Sequence, residues 1–514
     1  KIAELRDTVW KLLTTPNEEY FYYPETEVVL KDIQVWTYYL EKHDPQLKEW
    51  LLGISQGCKN KGFNDVSYVD LVAIMVYPQE IWARPAGDYP VETGVDTSVA
   101  LMQGKHSSLI AKNGRTDTRP ISSCSAFAAT GNATPDGEAM VTITGGAFLE
   151  ATNYLILVAF PEDGERFIAL TQPGRVATNV GMNSHFAWVM PASVTAPWLP
   201  CASSWGVTSE VYFHYLMQYC KSPEDAVTFL ENTPKGGVTG LFLFADKDEN
   251  AFIYEGGICG SAIRKPGYFG EDGFVVSTNH YNHKDMADFN LGFGIFDDTF
   301  FRYDTVFQKL TGAPAGTVDL NFAKTLWAAN DWYDAETGSW NTVPVPNNFE
   351  DYNICYVPGN LCEGGEYQII QFPAENTTYL QWGVPQGTSI ENYWPEAPKP
   401  TGEYTKWQLL GSIRAMANAA SRDAKHMIRS ASSILYRDSS TLNEKTQKDL
   451  NYQLDQAIQA WTEGKKLATL VKGSHRGQIE QKAQMARWSE VYTNFATAQL
   501  YAQMVSTQLE RLTE

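Results

Sequence analysis

The sequence is poor in basic residues for its length. Forty lysines and arginines stand against 60 aspartates and glutamates in 514 residues, a net charge of −20. Such a chain lacks the basic face that phosphate backbones require, which argues against nucleic acid as the main partner. Charged residues are scarce at 19%, while aromatics reach 13%. A composition of this kind buries a core instead of staying disordered. No apolar run reaches the ~18 residues needed to span a bilayer, so no membrane span is expected. None of the seven cysteines stands in a CxxC pair. The local signature of a zinc ribbon or thioredoxin motif is therefore missing, and no cofactor is called for.

The length implies two to four domains, or one large sandwich with additions. Residues 1–50 read as helices with aromatic faces (Val9, Trp10, Leu12, Leu13), and 66–83 as a further helix. Residues 84–122 are rich in glycine and proline and read as loop. From about 124 to 280 the pattern becomes strands and hairpins. Tyr154–Phe160 and Phe167–Leu170 flank the turn Pro161–Gly164, and Gly240–Ala245 and Ala251–Tyr254 flank Asp246–Asn250. Residues 208–232 and 300–330 read as helical, and 367–383 as one more hairpin. Helices between continuous apolar strands indicate a layered α+β sandwich.

Proline is absent from 401 to 514. Residues 403–514 carry 15 basic and 11 acidic side chains, so the acidic excess lies in the rest of the chain. Val491, Phe495, Ala498, Ala502, Val505 and Leu509 follow a helical repeat. Long helices are expected at about 404–437, 441–470 and 476–512. They form either an oligomerisation module, through which the chain makes a homo-oligomer, or a hairpin packed on its own body.

Cys124 opens a strand of small and apolar residues, Cys124-Ser-Ala-Phe-Ala-Ala-Thr-Gly131, followed by the turn at Pro135-Asp-Gly137. On spacing alone a buried core thiol is the ordinary reading. The stretch resembles the self-processing acyltransferases and amidohydrolases of the penicillin acyltransferase type. These are N-terminal-nucleophile hydrolases related to choloylglycine hydrolases and phospholipase B-like proteins. Further pieces resemble that family in the expected order: Gln56-Gly57 with Ser67–Leu71, Gly174, Gly181-Met-Asn183, Ser222–Ala226, Ser277-Thr-Asn-His280, Phe301-Arg-Tyr303 and Pro373–Gly383. The resemblance spans about 50–390.

The resemblance implies a four-layer αββα N-terminal-nucleophile sandwich over 124–402. A helical leader or pro-segment, 1–123, would pack on it, and a C-terminal helical module, 403–514, would follow. It implies cleavage of the Ser123–Cys124 bond by Cys124 itself. The released α-amine, with an ordinary pKa of about 7.7–8.0, then serves as base for its own thiol. The substrate would be a small linear amide, hydrolysed or used for acyl transfer through an acyl-enzyme. Asn279 would donate to the oxyanion, Asn183 would help shape the pocket, and Arg302 would orient a polar group. The family's acidic or amide motif after the nucleophile is replaced here by Thr142-Ile-Thr-Gly-Gly146, where Thr144 takes the nearest place. That departure supports a rival reading, an inactive or weakened scaffold used for interaction or assembly. A third reading is a dipeptidase of a neighbouring family.

Other features stay with structural readings. His280 and His283 make an incomplete metal site, and Asp246, Asp248 and Glu249 fit a hairpin turn better than a calcium loop. Ser222 fits a helix N-cap. Cys355 and Cys362 are spaced to close a small loop, and Asn132 and Asn376 stand in glycosylation sequons. The chain begins at Lys1. Removal of a secretory signal would place it outside the cell, in a periplasm or on a cell surface; a cytoplasmic location is the alternative.

Overall fold

The computed structural model describes residues 1–14, 26–83, 89–95, 124–145, 154–193, 204–236, 239–290, 298–329, 331–342, 367–383, 403–473 and 481–513. Most of the 84–122 loop, together with Ser123, Cys201, Cys355 and Cys362, lies outside these residues. The chain forms two compact units, Lys1–Lys406 and Trp407–Glu514.

The first unit mixes helices with antiparallel sheets. One sheet has six strands in the order β11-β1-β2-β14-β15-β16. These are Phe274–Ser277, Cys124–Gly131, Gly137–Gly145, Tyr367–Phe372, Thr377–Trp382 and Thr405–Gln408. The other has the path β10-β9-β8-β6-β5-β4-β3. Its strands are Ser261–Arg264, Ala251–Gly256, Thr239–Asp246, Phe186–Val189, Val180–Asn183, Phe167–Thr171 and Leu155–Ala159, and a short β7 (Ala192–Ser193) pairs with β8. A separate hairpin joins β12 (Asp331–Asp334) to β13 (Ser339–Thr342).

Turn chemistry sets the hairpins. Gly164 takes φ of 86° after Pro161-Glu-Asp, a value open to glycine at no steric penalty. Between β8 and β9, Asp246 Oδ1 accepts the N–H groups of Asp248 and Asn250, while its Oδ2 accepts from the Asn250 amide. The carboxylate there closes a turn, which is the structural role read from the sequence.

Alternation along the strands decides what each sheet buries. On the smaller sheet, Phe127, Ala129, Met140, Val276 and Ile370 pack with Tyr303, Val306, Leu310, Leu326 and Trp327. Those partners lie on α7 (Asp298–Thr311) and α8 (Leu320–Trp327), numbering helices in chain order. On the larger sheet, Phe167, Ala169, Trp188, Phe242 and Tyr254 share one core with the N-terminal helices α1 to α4 and with α5 and α6. These helices run Ile2–Thr14, Thr26–His43, Pro45–Asn60, Tyr68–Ala83, Ser209–Tyr219 and Pro223–Asn232. Strand residues of opposite parity, such as Ala126, Val141, Ile143 and Leu243, are fully buried as well. Their cover is the facing sheet, since β1 and β2 lie against β8 and β6.

Two caps fix helices against this core. Ser222 Oγ accepts the Asp225 N–H at the start of α6, with Pro223 at its first position. Asp44 caps α3 through the Leu47 N–H, and its second oxygen meets His214 Nδ1 on α5. The N-terminal helices are thereby tied to α5 by a buried polar contact as well as by apolar packing.

The second unit contains α9 (Leu409–Asp438), α10 (Glu444–Gly473) and α11 (Gln481–Thr513). Ala431, Leu435, Leu450, Leu454, Val505 and Leu509 form a core between all three. Gly464 lets α10 approach α11 closely, because a Cβ there would stand 2.8 Å from the Phe495 ring.

Candidate active site

β1 runs antiparallel between β11 and β2. Ala126 stands opposite Ser277, and Cys124 stands opposite Gly145. The chain leaving β11 continues into Thr278-Asn279-His280, which places Asn279 beside Cys124 at the strand's first residue. The Cys124 N–H donates to Asn279 Oδ1 at 2.9 Å. Asn279 Nδ2 donates in turn to the Ala192 carbonyl on the facing sheet at 2.8 Å.

Arg302 comes from α7 and is 1% exposed. Its Nη1 donates to the Cys124 carbonyl and, at 3.1 Å, to Ser125 Oγ. Its Nη2 donates to Asn279 Oδ1 at 2.9 Å. Two donors thus converge on one Asn279 atom, which fixes it as the oxygen. The planar guanidinium grips both ends of the Cys124 backbone environment, a task its fork geometry suits and a lysine could not copy.

A hydroxyl and imidazole cluster stands behind Asn279. Its backbone N–H donates to Thr299 Oγ1 at 2.8 Å. Thr278 Oγ1 donates to the Thr299 carbonyl, and His280 Nδ1 lies 2.9 Å from Thr299 Oγ1. His280 Nε2 lies 3.0 Å from Asn282 Oδ1. Asn282 Nδ2 is turned to the His280 carbonyl, so its oxygen accepts and His280 Nε2 carries the proton.

Burial lowers the His280 pKa to about 3; the nearby Arg302 and Arg264 act the same way, against the Asn282 hydrogen bond. The imidazole is a neutral spacer and not an acid–base group. In the unfolded chain it takes a proton below about 6.5. Stability is therefore expected to fall as pH drops from about 6.5 toward 3, by up to ~1.4 kcal/mol per pH unit from this group. Urea midpoints across that range should show a shallower decline for His280→Asn than for the parent chain. Equal slopes would remove His280 as the cause.

The other sequence candidates lie elsewhere. Asn183 ends β5, and its pair Phe167 belongs to the helix-facing core. Its amide donates to the Met217 and Cys220 carbonyls and accepts from His185 and Phe186 N–H. The first two bonds tie β5 to the end of α5 and the other two close the turn into β6, so this amide is engaged in structural contacts. Thr144 is opposite Ser125, one residue out of step with Cys124, and so shares the face of Ser125. Gln368 Nε2 donates to it at 3.5 Å. Asn279 uses one of its two Nδ2 hydrogens on the Ala192 carbonyl, and its oxygen accepts the Cys124 N–H. Of the two spaced histidines, His283 Nδ1 lies 3.6 Å from Asp285 and His280 is engaged as above. Among the described residues no group of three metal-ligating side chains occurs, and no helix is long and apolar enough to cross a membrane. Cys58 and Cys220 are free thiols, whereas Cys259 is disulfide-bonded.

Sequence reasoning missed Thr299, Ala192, Gly145 and Tyr367. The first two act through a hydroxyl and a backbone carbonyl, which leave no pattern. The Gly145-Gly146 pair was visible, but its use depends on strand pairing.

The fold and site together define a chain of mixed helices and antiparallel sheets with a buried cysteine at a strand start, held by an asparagine and an arginine. No protein-family model matches it. An uncharacterized protein of Archaeoglobus fulgidus is 23% identical over 314 residues, covering 56% of this chain and 47% of that protein. The chain thus spans about half the length of the curated relative it matches. Crystal structures of a mutant and of a variant of conjugated bile acid hydrolase from Clostridium perfringens are similar in part. Each covers 55% of this chain, 96% and 97% of theirs, at 9% identity, with TM-scores of 0.29 and 0.28. At those scores the likeness carries no weight for function.

Proposed function

We propose that this protein is a cysteine amidohydrolase of the N-terminal-nucleophile class, with an αββα core, that cleaves its own Ser123–Cys124 bond and then acts on small linear amides. The observation that carries the reading is the grip of Asn279 and Arg302 on the Cys124 nitrogen and carbonyl. In the precursor, the Cys124 thiol attacks the Ser123 carbonyl, and the C–N bond breaks as the thioester forms. Water then hydrolyses the thioester, leaving a Ser123 carboxylate and a Cys124 α-amine. Asn279 Oδ1 is positioned to accept an N–H of that amine. The fixed positive charge of Arg302 beside it disfavours the ammonium form and keeps the nitrogen a base.

In turnover the amine takes the thiol proton, the thiolate adds to an amide carbonyl, and the departing amine receives the proton. Water releases the acyl group, or a second amine captures it. Intact-protein mass spectrometry tests the first step. Fragments 1–123 and 124–514 are expected, and one uncut mass in a preparation that hydrolyses amides would refute self-cleavage. The disulfide at Cys259 supports a secreted, periplasmic or cell-surface location, where such bonds persist.

One observation favours a weakened or non-catalytic scaffold instead. Thr144, the nearest counterpart of the acidic or amide motif, does not share the Cys124 face. A thiol-directed acyl probe separates the two readings: labelling at Cys124 supports the enzyme, and an inert thiol supports the scaffold.

A further inference from the structure

We propose that Tyr367, clamped by Asn179 and laid over Gly145, sets the size of acyl group that Cys124 accepts, favouring amides of short, unbranched acids. The proposal rests on the reading of Cys124 as nucleophile. The strand register puts Cys124, Gly145, Tyr367 and Trp382 in one cross-strand row. Side chains in such a row share a face, at about 4.8 Å per strand. Gly145 contributes none, so the row between the thiol and Tyr367 is open at backbone level.

Tyr367 fills that opening. A Cβ on Gly145 would lie 2.6 Å from the Tyr367 hydroxyl and 2.9 Å from its Cζ. The ring therefore reclines along the row over the strand that adjoins Cys124. Asn179, the residue before β5 of the facing sheet, fixes it there. Asn179 Nδ2 lies 2.8 Å and Oδ1 3.0 Å from the phenol oxygen. The same Nδ2 is 3.2 Å from the Met190 carbonyl. Behind the ring, Tyr154 packs edge-on to Tyr367 at 5.3 Å and stacks on Trp382 at 5.8 Å. Tyr367 is 1% exposed and has no room to swing away. With Asn279 and Arg302 on the β11 side of Cys124, an acyl chain extending along the β2 side meets the phenol.

The test compares the parent chain with Tyr367→Leu and Tyr367→Ala. Cys124 is alkylated with iodoacetamide and, separately, with a bulky aryl maleimide, and labelling is read by peptide mass spectrometry. Both variants are expected to raise the bulky-to-small rate ratio at Cys124 by about tenfold or more, as removal of a pocket wall does. Tyr367→Phe keeps the ring but, like Asn179→Ala, breaks the clamp on it, so its ratio should rise less than that of the shortened variants and should match that of Asn179→Ala. Half-buried Cys58 reports reagent quality, and Cys220, pushed up to about 12 by burial, should stay unlabelled. If the shortened variants fail to fold, Asn179→Ala loosens the ring without shrinking it and should move the ratio the same way. The turnover ratio of octanoyl to acetyl p-nitroanilide should follow the labelling ratio. An unchanged ratio in folded variants, or Cys124 unlabelled in all of them, overturns the proposal. Amide turnover that survives Cys124→Ala instead removes the nucleophile reading itself, whatever the ratios show.

Discussion

Cys124→Ala should leave a single uncut chain with no amide turnover, yet fold almost as stably as the parent. The reason lies in which atoms hold the strand start. Asn279 accepts from the residue-124 backbone N–H, and Arg302 donates to its carbonyl. Neither bond uses the sulfur. Deleting one buried heavy atom there should change the unfolding free energy by about 1 kcal/mol. Arg302→Met is the contrast. It strips donors from the Cys124 carbonyl, Ser125 Oγ and Asn279 Oδ1 at once. The Cys124 carbonyl and Ser125 Oγ lose this buried donor and Asn279 Oδ1 keeps only the Cys124 N–H, which should lower stability by about 3 kcal/mol or more, besides ending self-cleavage. Urea unfolding with mass spectrometry of each variant checks both. If the alanine chain is cut at Ser123–Cys124, another group is the nucleophile.

Local structure was legible where one stretch of chain decides it. The hairpin turns at Pro161–Gly164 and Asp246–Asn250 are set by residues within the turn, and their strands lie at 155–159, 167–171, 239–246 and 251–256. The tail's periodicity gave helices at about 404–437, 441–470 and 476–512, against 409–438, 444–473 and 481–513 in the structure. The first begins late because Thr405–Gln408 forms a strand and Gln408 offers no side-chain cap. Residues 208–232 read as one helix, but they break at Cys220, where Ser222 and Pro223 start a new one.

What the sequence could not supply is the face on which a residue stands and its neighbour across the sheet. Cys124 meets Asn279 and Arg302 through pairings 155 and 178 residues away. Thr144 was placed near the nucleophile by counting along the chain, yet strand alternation turns it toward Ser125. The same alternation puts Asn183 under α5. Tyr367 reaches the row beside Cys124 because β2 pairs with β14 as well as with β1. No local pattern encodes that choice.

Glu255→Ala is expected to destabilise the protein by about 3–5 kcal/mol, as breaking one side of a buried ion pair does. Glu255 on β9 and Arg264 on β10 are both fully buried, with Arg264 Nε 2.6 Å from Glu255 Oε1. Arg264 Nη2 also donates to the Val276 carbonyl of β11 at 2.7 Å. The second Glu255 oxygen accepts the N–H groups of Asn282 at 3.0 Å and His283 at 2.9 Å. The pair therefore anchors the turn that follows Asn279. Glu271 offers the stranded arginine little relief, since its Oε1 stands 3.8 Å from Arg264 Nη1. The double variant Glu255→Leu with Arg264→Met tests the division of roles. Removing both charges should recover much of the lost stability, because an apolar pair of similar volume avoids the desolvation penalty. It should not recover turnover, because the Asn282 and His283 N–H groups still lack their acceptor and the Asn279 turn loses its anchor. A double variant no more stable than Glu255→Ala would show that the lost acceptor, not the unpaired charge, dominates; restored turnover would show that Asn279 keeps its place without Glu255.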